Sequence, residues 1–98
     1  MNEVLLEIDE TKHGKFIIED DGQEVGTMKV HLEDNDLIVE GTEVDRKMRG
    51  QHLGKRLIEA MVHHARHNHY NVVTLCPFVQ GQFEKHPEDY RDVWKRSA

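Results

Sequence analysis

Cysteine is almost absent. Cys76 stands alone in 98 residues, which excludes an intramolecular disulfide and any redox chemistry that needs a cysteine pair, and fits a reducing compartment. No apolar run approaches the length that crosses a bilayer, and the first ten residues are acidic, without the pattern of a signal peptide. A cytoplasmic protein with no membrane partner is therefore expected. No internal repeat, linker or low-complexity stretch interrupts the chain, so residues 1–98 read as a single domain with one thin core.

Basic residues are scarce over the first 45 positions, which hold three Lys/Arg against fourteen Asp/Glu. The next eleven positions reverse this: Arg46, Lys47, Arg49, Lys55 and Arg56 occur without an acid, and the remainder is neutral, for a net charge of -6. An acidic chain that gathers its positive charge beside one turn suits a compact polyanion better than a nucleic-acid backbone, so no nucleic-acid partner is expected.

The hydrophobic pattern changes period at that turn. Val4–Ile8, Lys15–Glu19, Glu24–Leu32 and Leu37–Val44 are β-like. Short turns separate the four, among them the Asp20-Asp21-Gly22-Gln23 hairpin, giving an antiparallel meander with Leu37, Val39 and Gly41 on one face of the fourth strand. Leu53, Leu57, Ile58, Met61, Val62 and Ala65 then recur at helical spacing, predicting an amphipathic helix over 54–67. Asn68-His69 ends it. The apolar run Tyr70–Cys76 predicts a fifth strand, central in the sheet and parallel to the fourth. Phe78–Lys85 reads as a short helix, and Pro87 with Glu88 and Asp89 as the start of another, with Tyr90, Val93 and Trp94 on its apolar face.

In this frame the turn Arg49-Gly50-Gln51-His52-Leu53-Gly54-Lys55-Arg56 lies at the carboxyl end of a strand and opens a helix, where unpaired N–H groups and the helix dipole favour an anion. It resembles the acetyl-coenzyme A motif of the GNAT superfamily of N-acetyltransferases, with Arg49 opening the pattern, Gly54 closing it and His52 where the family prefers glycine. His is among the non-glycine residues tolerated at positive φ. The element order resembles the GNAT core over nearly the whole chain. The Thr42-Glu43-Val44 strand end, the lone cysteine closing strand five and the Glu84-Lys85-His86-Pro87-Glu88 stretch are similar to those of minimal members of roughly a hundred residues.

The resemblance implies an α/β GNAT-like fold and an enzyme that transfers acetyl from acetyl-coenzyme A to an unidentified amine. It implies that the backbone from Arg49 to Gly54 holds the pyrophosphate, that Lys47, Lys55 and Arg56 add charge near the phosphates, and that the Glu43 and Val44 backbone bonds the pantetheine arm. Glu43, or Glu40, is the implied base. Phe78 stands near the tyrosine that serves larger relatives as acid, and it has no proton to give. Cys76 is a candidate for that role or for carrying the acetyl group; packing at the end of an apolar strand is its alternative. The absence of helices between the first two strands implies an open acceptor side. A coenzyme A binding module without turnover, or a small interaction domain, are the competing classes.

His63 and His67 have metal-ligand spacing on the long helix, but no carboxylate or thiol lies nearby in sequence, so a solvated face and no metal are expected there. Phe83, Tyr90 and Trp94 are expected in the core or in a dimer contact rather than as a base-stacking surface. The protein is expected to be a monomer or a weak homodimer.

Overall fold

The computed structural model describes residues 3–48 and 52–96. Strands β1 (Val4–Ile8), β2 (His13–Asp20), β3 (Gln23–Glu33) and β4 (Asp36–Val44) precede a 3-10 turn at Arg46–Met48. Helix α1 (Leu53–Asn68), strand β5 (Asn71–Thr74), helix α2 (Pro77–Lys85) and the single turn α3 (Pro87–Tyr90) follow. The sheet order is β1-β2-β3-β4-β5, with antiparallel pairing up to β4 and parallel pairing of β4 with β5. Among the described residues no helix is long and apolar enough to cross a membrane.

The turns follow from residues that accept positive φ. Asp21 and Gly22, at φ 51° and 80°, close the β2–β3 hairpin, as the Asp-Gly pair predicts. Asp34, at φ 53°, closes β3–β4. Between β1 and β2 there is only the tight turn around Asp9–Lys12, in which the Lys12 N–H donates to Asp9 O.

Helix α1 buries Leu53, Leu57, Ile58, Met61, Val62 and Ala65, the same six residues that the periodicity selects. They pack with Phe16 and Ile18 of β2, Met28 and Val30 of β3, Leu37 and Val39 of β4, and Val79 and Phe83 of α2. Each such buried aliphatic side chain is worth roughly 1.5–3 kcal/mol. The helix ends in a left-handed His69 whose N–H donates to Arg66 O, while the Tyr70 N–H donates to Ala65 O, consistent with the stop expected at Asn68-His69.

Three expectations need correction. Gly41 does not share a face with Leu37 and Val39, because the β3–β4 register shifts by one residue: Val30 faces Val39, but Lys29 faces Gly41 and Met28 faces Thr42. The bulge at Glu40 reverses the alternation, so Thr42 and Val44 take the helix side of the sheet. Second, β5 is the last of the five strands rather than a central one. Its outer edge receives only the C-terminal segment, through the Val72–Trp94 bridge, in which the Lys95 N–H donates to Val72 O at 2.9 Å. Of the strand only Val72 is fully buried, and Leu75 just beyond it is 63% exposed. Third, α3 lasts one turn, so Val93 reaches the core from a turn and Trp94 its border from an isolated bridge rather than from a helix face. Phe83 stacks on Tyr90 at 4.3 Å and meets Trp94 edge-on at 5.5 Å, which makes this trio part of the core and its border.

Candidate active site

The ladder between β4 and β5 is short. It pairs Asp36 to Val39 with Asn71 to Thr74, and a final bond runs from the Leu75 N–H to Val39 O. Beyond that point the strands part. Thr42 and Cys76 meet across the gap through side chains, with Oγ1 and Sγ 3.4 Å apart. The bulge at Glu40 and the parallel pairing together produce the parting: the bulge redirects β4, and β5 gives way to Pro77, which starts α2.

A cavity of about 630 Å³ opens beside this split, lined by Thr42, Val44, Met48, His52, Leu53, Gly54, Lys55, Phe78 and Gln82. One wall is the unpaired end of β4. The opposite wall is the N-terminus of α1, where His52 occupies the cap position at φ 55° and ψ 37°. That left-handed conformation is the one a glycine would adopt without strain, and His52 holds it in glycine's place. No side chain among the described residues caps the helix, and its first turn carries no acid, so its N–H donors and dipole remain suited to an anion. Lys55 adds a cation at the rim.

Gly54 brings a second constraint. A Cβ at this position would lie 2.6 Å from Phe78 Cζ and 2.9 Å from Cε2, so the ring rests directly on the glycine backbone. Phe78 is 42% exposed, so its ring also forms an apolar wall of the cavity.

Of the residues singled out in the sequence, Val44, His52, Leu53, Gly54 and Lys55 converge on this cavity. Arg49, Gly50 and Gln51 lie outside the described residues. Arg56 lines a different hollow, with Glu59, His63 and His67. Glu43 sits between Thr42 and Val44 in the strand and pairs with Thr27, which places its side chain on the other face of the sheet, in a hollow with Glu24, Thr27 and Asp45. Cys76 is 3% exposed, caps α2 in extended conformation and touches Thr42. Thr42, Met48 and Gln82 are cavity residues that the sequence pattern did not single out by side chain. Gly41 carried the available signal for Thr42, since a glycine inside a strand marks a bulge.

A crossover α/β sheet that splits at its carboxyl end beside an uncapped helix N-terminus defines a protein built to hold a phosphate-bearing, extended cofactor. The family model described as GCN5-related N-acetyl-transferase matches residues 15–93, and the chain belongs to that family. A GCN5-like candidate N-acetyltransferase from Staphylococcus aureus, solved in solution, is 27% identical and superposes with a TM-score of 0.72 over 100% of this chain and 94% of its own. A ribosomal-protein-alanine N-acetyltransferase from Brucella melitensis biovar Abortus 2308 has the same fold at 20% identity and a TM-score of 0.63, covering 92% of this chain and 66% of that one. An aminoglycoside N-acetyltransferase solved with coenzyme A shares the fold at 16% identity and a TM-score of 0.56, covering 76% of this chain and 66% of that one. No curated protein sequence matches the chain significantly.

Members of this family are N-acetyltransferases that use acetyl-coenzyme A. The residues present fit that group: an uncapped helix N-terminus for phosphate, an unpaired strand edge for an amide-bearing arm, and an apolar wall in Phe78, Leu53 and Met48.

Proposed function

We propose that the protein transfers the acetyl group of acetyl-coenzyme A to an amine on a protein, a peptide or a small molecule. The observation that carries this reading is the cavity between the α1 N-terminus and the parted end of β4. The His52–Lys55 backbone and the Lys55 ammonium would hold the pyrophosphate, with Arg49, Gly50 and Gln51 of the sequence motif assigned to the same group. The free edge of β4 near Glu43 and Val44 would bond the pantetheine amides as another strand would. When bound, acetyl-coenzyme A supplies an activated thioester.

The amine must lose a proton before attack, and the departing thiolate must gain one. Glu43 lies on the sheet face opposite the cavity, so it would serve as base only for an amine that approaches the parting of the strands from that face. Cys76, whose Sγ lies 3.4 Å from Thr42 Oγ1 at the parting of the strands, would return a proton to the departing thiolate. The tight β1–β2 turn leaves the acceptor approach without the wall that helices there would build, which favours a peptide amine. Initial rates over a panel of peptide and small amines test this. Glu43→Gln should lower kcat by about 10²-fold or more, within the range of general-base effects. Cys76→Ala should lower kcat or remove an acetyl adduct seen by intact mass. Full activity in both variants contradicts the assigned roles, while absent turnover with intact cofactor binding supports a coenzyme A binding module, a reading that the acidless Phe78 favours.

A further inference from the structure

The face of the sheet away from α1 carries a side-chain group built around two histidines. His13 opens β2 and faces His31 of β3 in register. Glu40 lies two residues beyond Ile38, the β4 partner of His31, and so shares its face as a diagonal neighbour. Three adjacent strands thus deliver two imidazoles and a carboxylate to one place. One donor atom from each lies within 4.8 Å of the other two. The two rings are near parallel at 5.3 Å, and His31 Nδ1 is 2.7 Å from Glu40 Oε2.

The surroundings prepare His13 as a ligand. The Thr11 hydroxyl has one proton and donates it to Asp9 Oδ1 at 2.5 Å, since a carboxylate can only accept. At 3.1 Å from His13 Nδ1, the same hydroxyl oxygen must therefore accept the Nδ1–H. The neutral ring then keeps its lone pair on Nε2, the tautomer that a metal requires. The Asp9 carboxylate is also held in place by the Thr11 and His13 backbone N–H groups, at 2.9 and 3.1 Å. On the neighbouring ring, Glu33 Oε1 lies 3.5 Å from His31 Nε2, so a carboxylate stands behind the second imidazole too.

We propose that His13, His31 and Glu40 bind a divalent d-block cation, zinc foremost, with the remaining coordination position open to the adjoining hollow. Two imidazoles and a carboxylate are a zinc donor set that leaves a fourth position free. With metal–ligand bonds of about 2.0–2.2 Å, tetrahedral donors stand roughly 3.3 Å apart, so closure needs shifts on the order of an ångström. The exposed His13 and the half-exposed Glu40 supply these by side-chain rotation, without backbone movement. The hollow beside them, of about 390 Å³, is also lined by Glu7 and Asp9, whose charge favours a cation, and by Lys15 and Lys29, which can meet an anionic fourth ligand. An ion pair between His31 and Glu40 accounts for two members of the group but leaves the orientation of His13 unused.

Calorimetric titration of chelator-stripped protein with Zn²⁺, and with Co²⁺ followed by visible absorption, tests the site. One ion per chain is expected, with the intense d–d bands of a low-coordinate cobalt site. His13→Ala and Glu40→Gln should each weaken binding at least about tenfold, and Thr11→Val about tenfold through loss of the relay. The double change His63→Ala/His67→Ala should leave binding unaltered. No binding by the wild type, equal affinity in His13→Ala and Glu40→Gln, or loss of binding in the His63/His67 variant overturns the assignment. Glu40→Gln keeps the size of a side chain that is 40% exposed, so it decides the matter even if His13→Ala folds poorly.

Discussion

The Phe78 ring rests on Gly54, so close that a methyl group at residue 54 would stand 2.6 Å from Cζ. This contact joins the first turn of α1 to the first turn of α2 beside the cavity that His52, Leu53 and Lys55 also line. The glycine that closes the sequence motif thereby acts in two ways: it leaves the helix N-terminus open to an anion, and it seats an aromatic wall.

Gly54→Ala should therefore displace the ring toward the cavity. Alanine gains up to about 1 kcal/mol of helix propensity over glycine, which offsets part of the steric cost. The expected outcome is a thermal midpoint changed by a few degrees and an acetyl-coenzyme A Kd raised about tenfold, equivalent to about 1.4 kcal/mol. Adding Phe78→Ala should recover part of the affinity, because the two effects pass through one contact. Binding isotherms of both single variants and the double variant measure this coupling.

Phe83 is the aromatic anchor of the C-terminal region, fully buried and stacked on Tyr90. Phe83→Ala should cost about 3–5 kcal/mol by urea denaturation, the range for truncating a buried aromatic ring. A loss below about 1 kcal/mol would show that the site collapses around the gap or that the ring packs loosely.

His64 titrates low. Partial burial holds its pKa below the ordinary 6.5, and the neighbouring His67 and His63 push it the same way. Phe16 and Tyr70 pack against its ring, and the Asn68 amide lies 3.3 Å from Nδ1. Because the folded-state pKa is depressed, the unfolded chain binds the proton more readily. This contribution to stability is complete above about pH 6.5 and is lost as pH falls through the lower folded value. Denaturation midpoints measured between pH 7.5 and 5 should fall less steeply in His64→Gln than in the wild type.

Much of this arrangement was legible in the residues. The helical period of Leu53 to Ala65 fixed the buried stripe of α1, and Asp21-Gly22 fixed a hairpin, because both depend on local sequence. The glycine-like conformation of His52 followed from the motif in which it stands. The bulge at Glu40 was hidden: alternation along β4 looks regular until a partner strand shows which residue lacks a counterpart. That one-residue shift turned Thr42 toward the cavity and Glu43 away from it. The His13–His31–Glu40 group was hidden for a related reason, since its members stand 18 and nine positions apart in sequence and meet only through strand register. His63 and His67, four residues apart on one helix, were the visible histidines instead.

The central claim, that the split between β4 and the α1 N-terminus holds acetyl-coenzyme A, is tested most directly by mapping amide chemical shifts of ¹⁵N-labelled protein during titration with the cofactor. The account predicts saturable shifts concentrated at Thr42–Val44, His52–Arg56 and Phe78, with Lys55→Glu weakening them at least about tenfold through loss of phosphate contact. Spectra unchanged at millimolar cofactor, or shifts centred on the His13, His31 and Glu40 hollow instead, would contradict it.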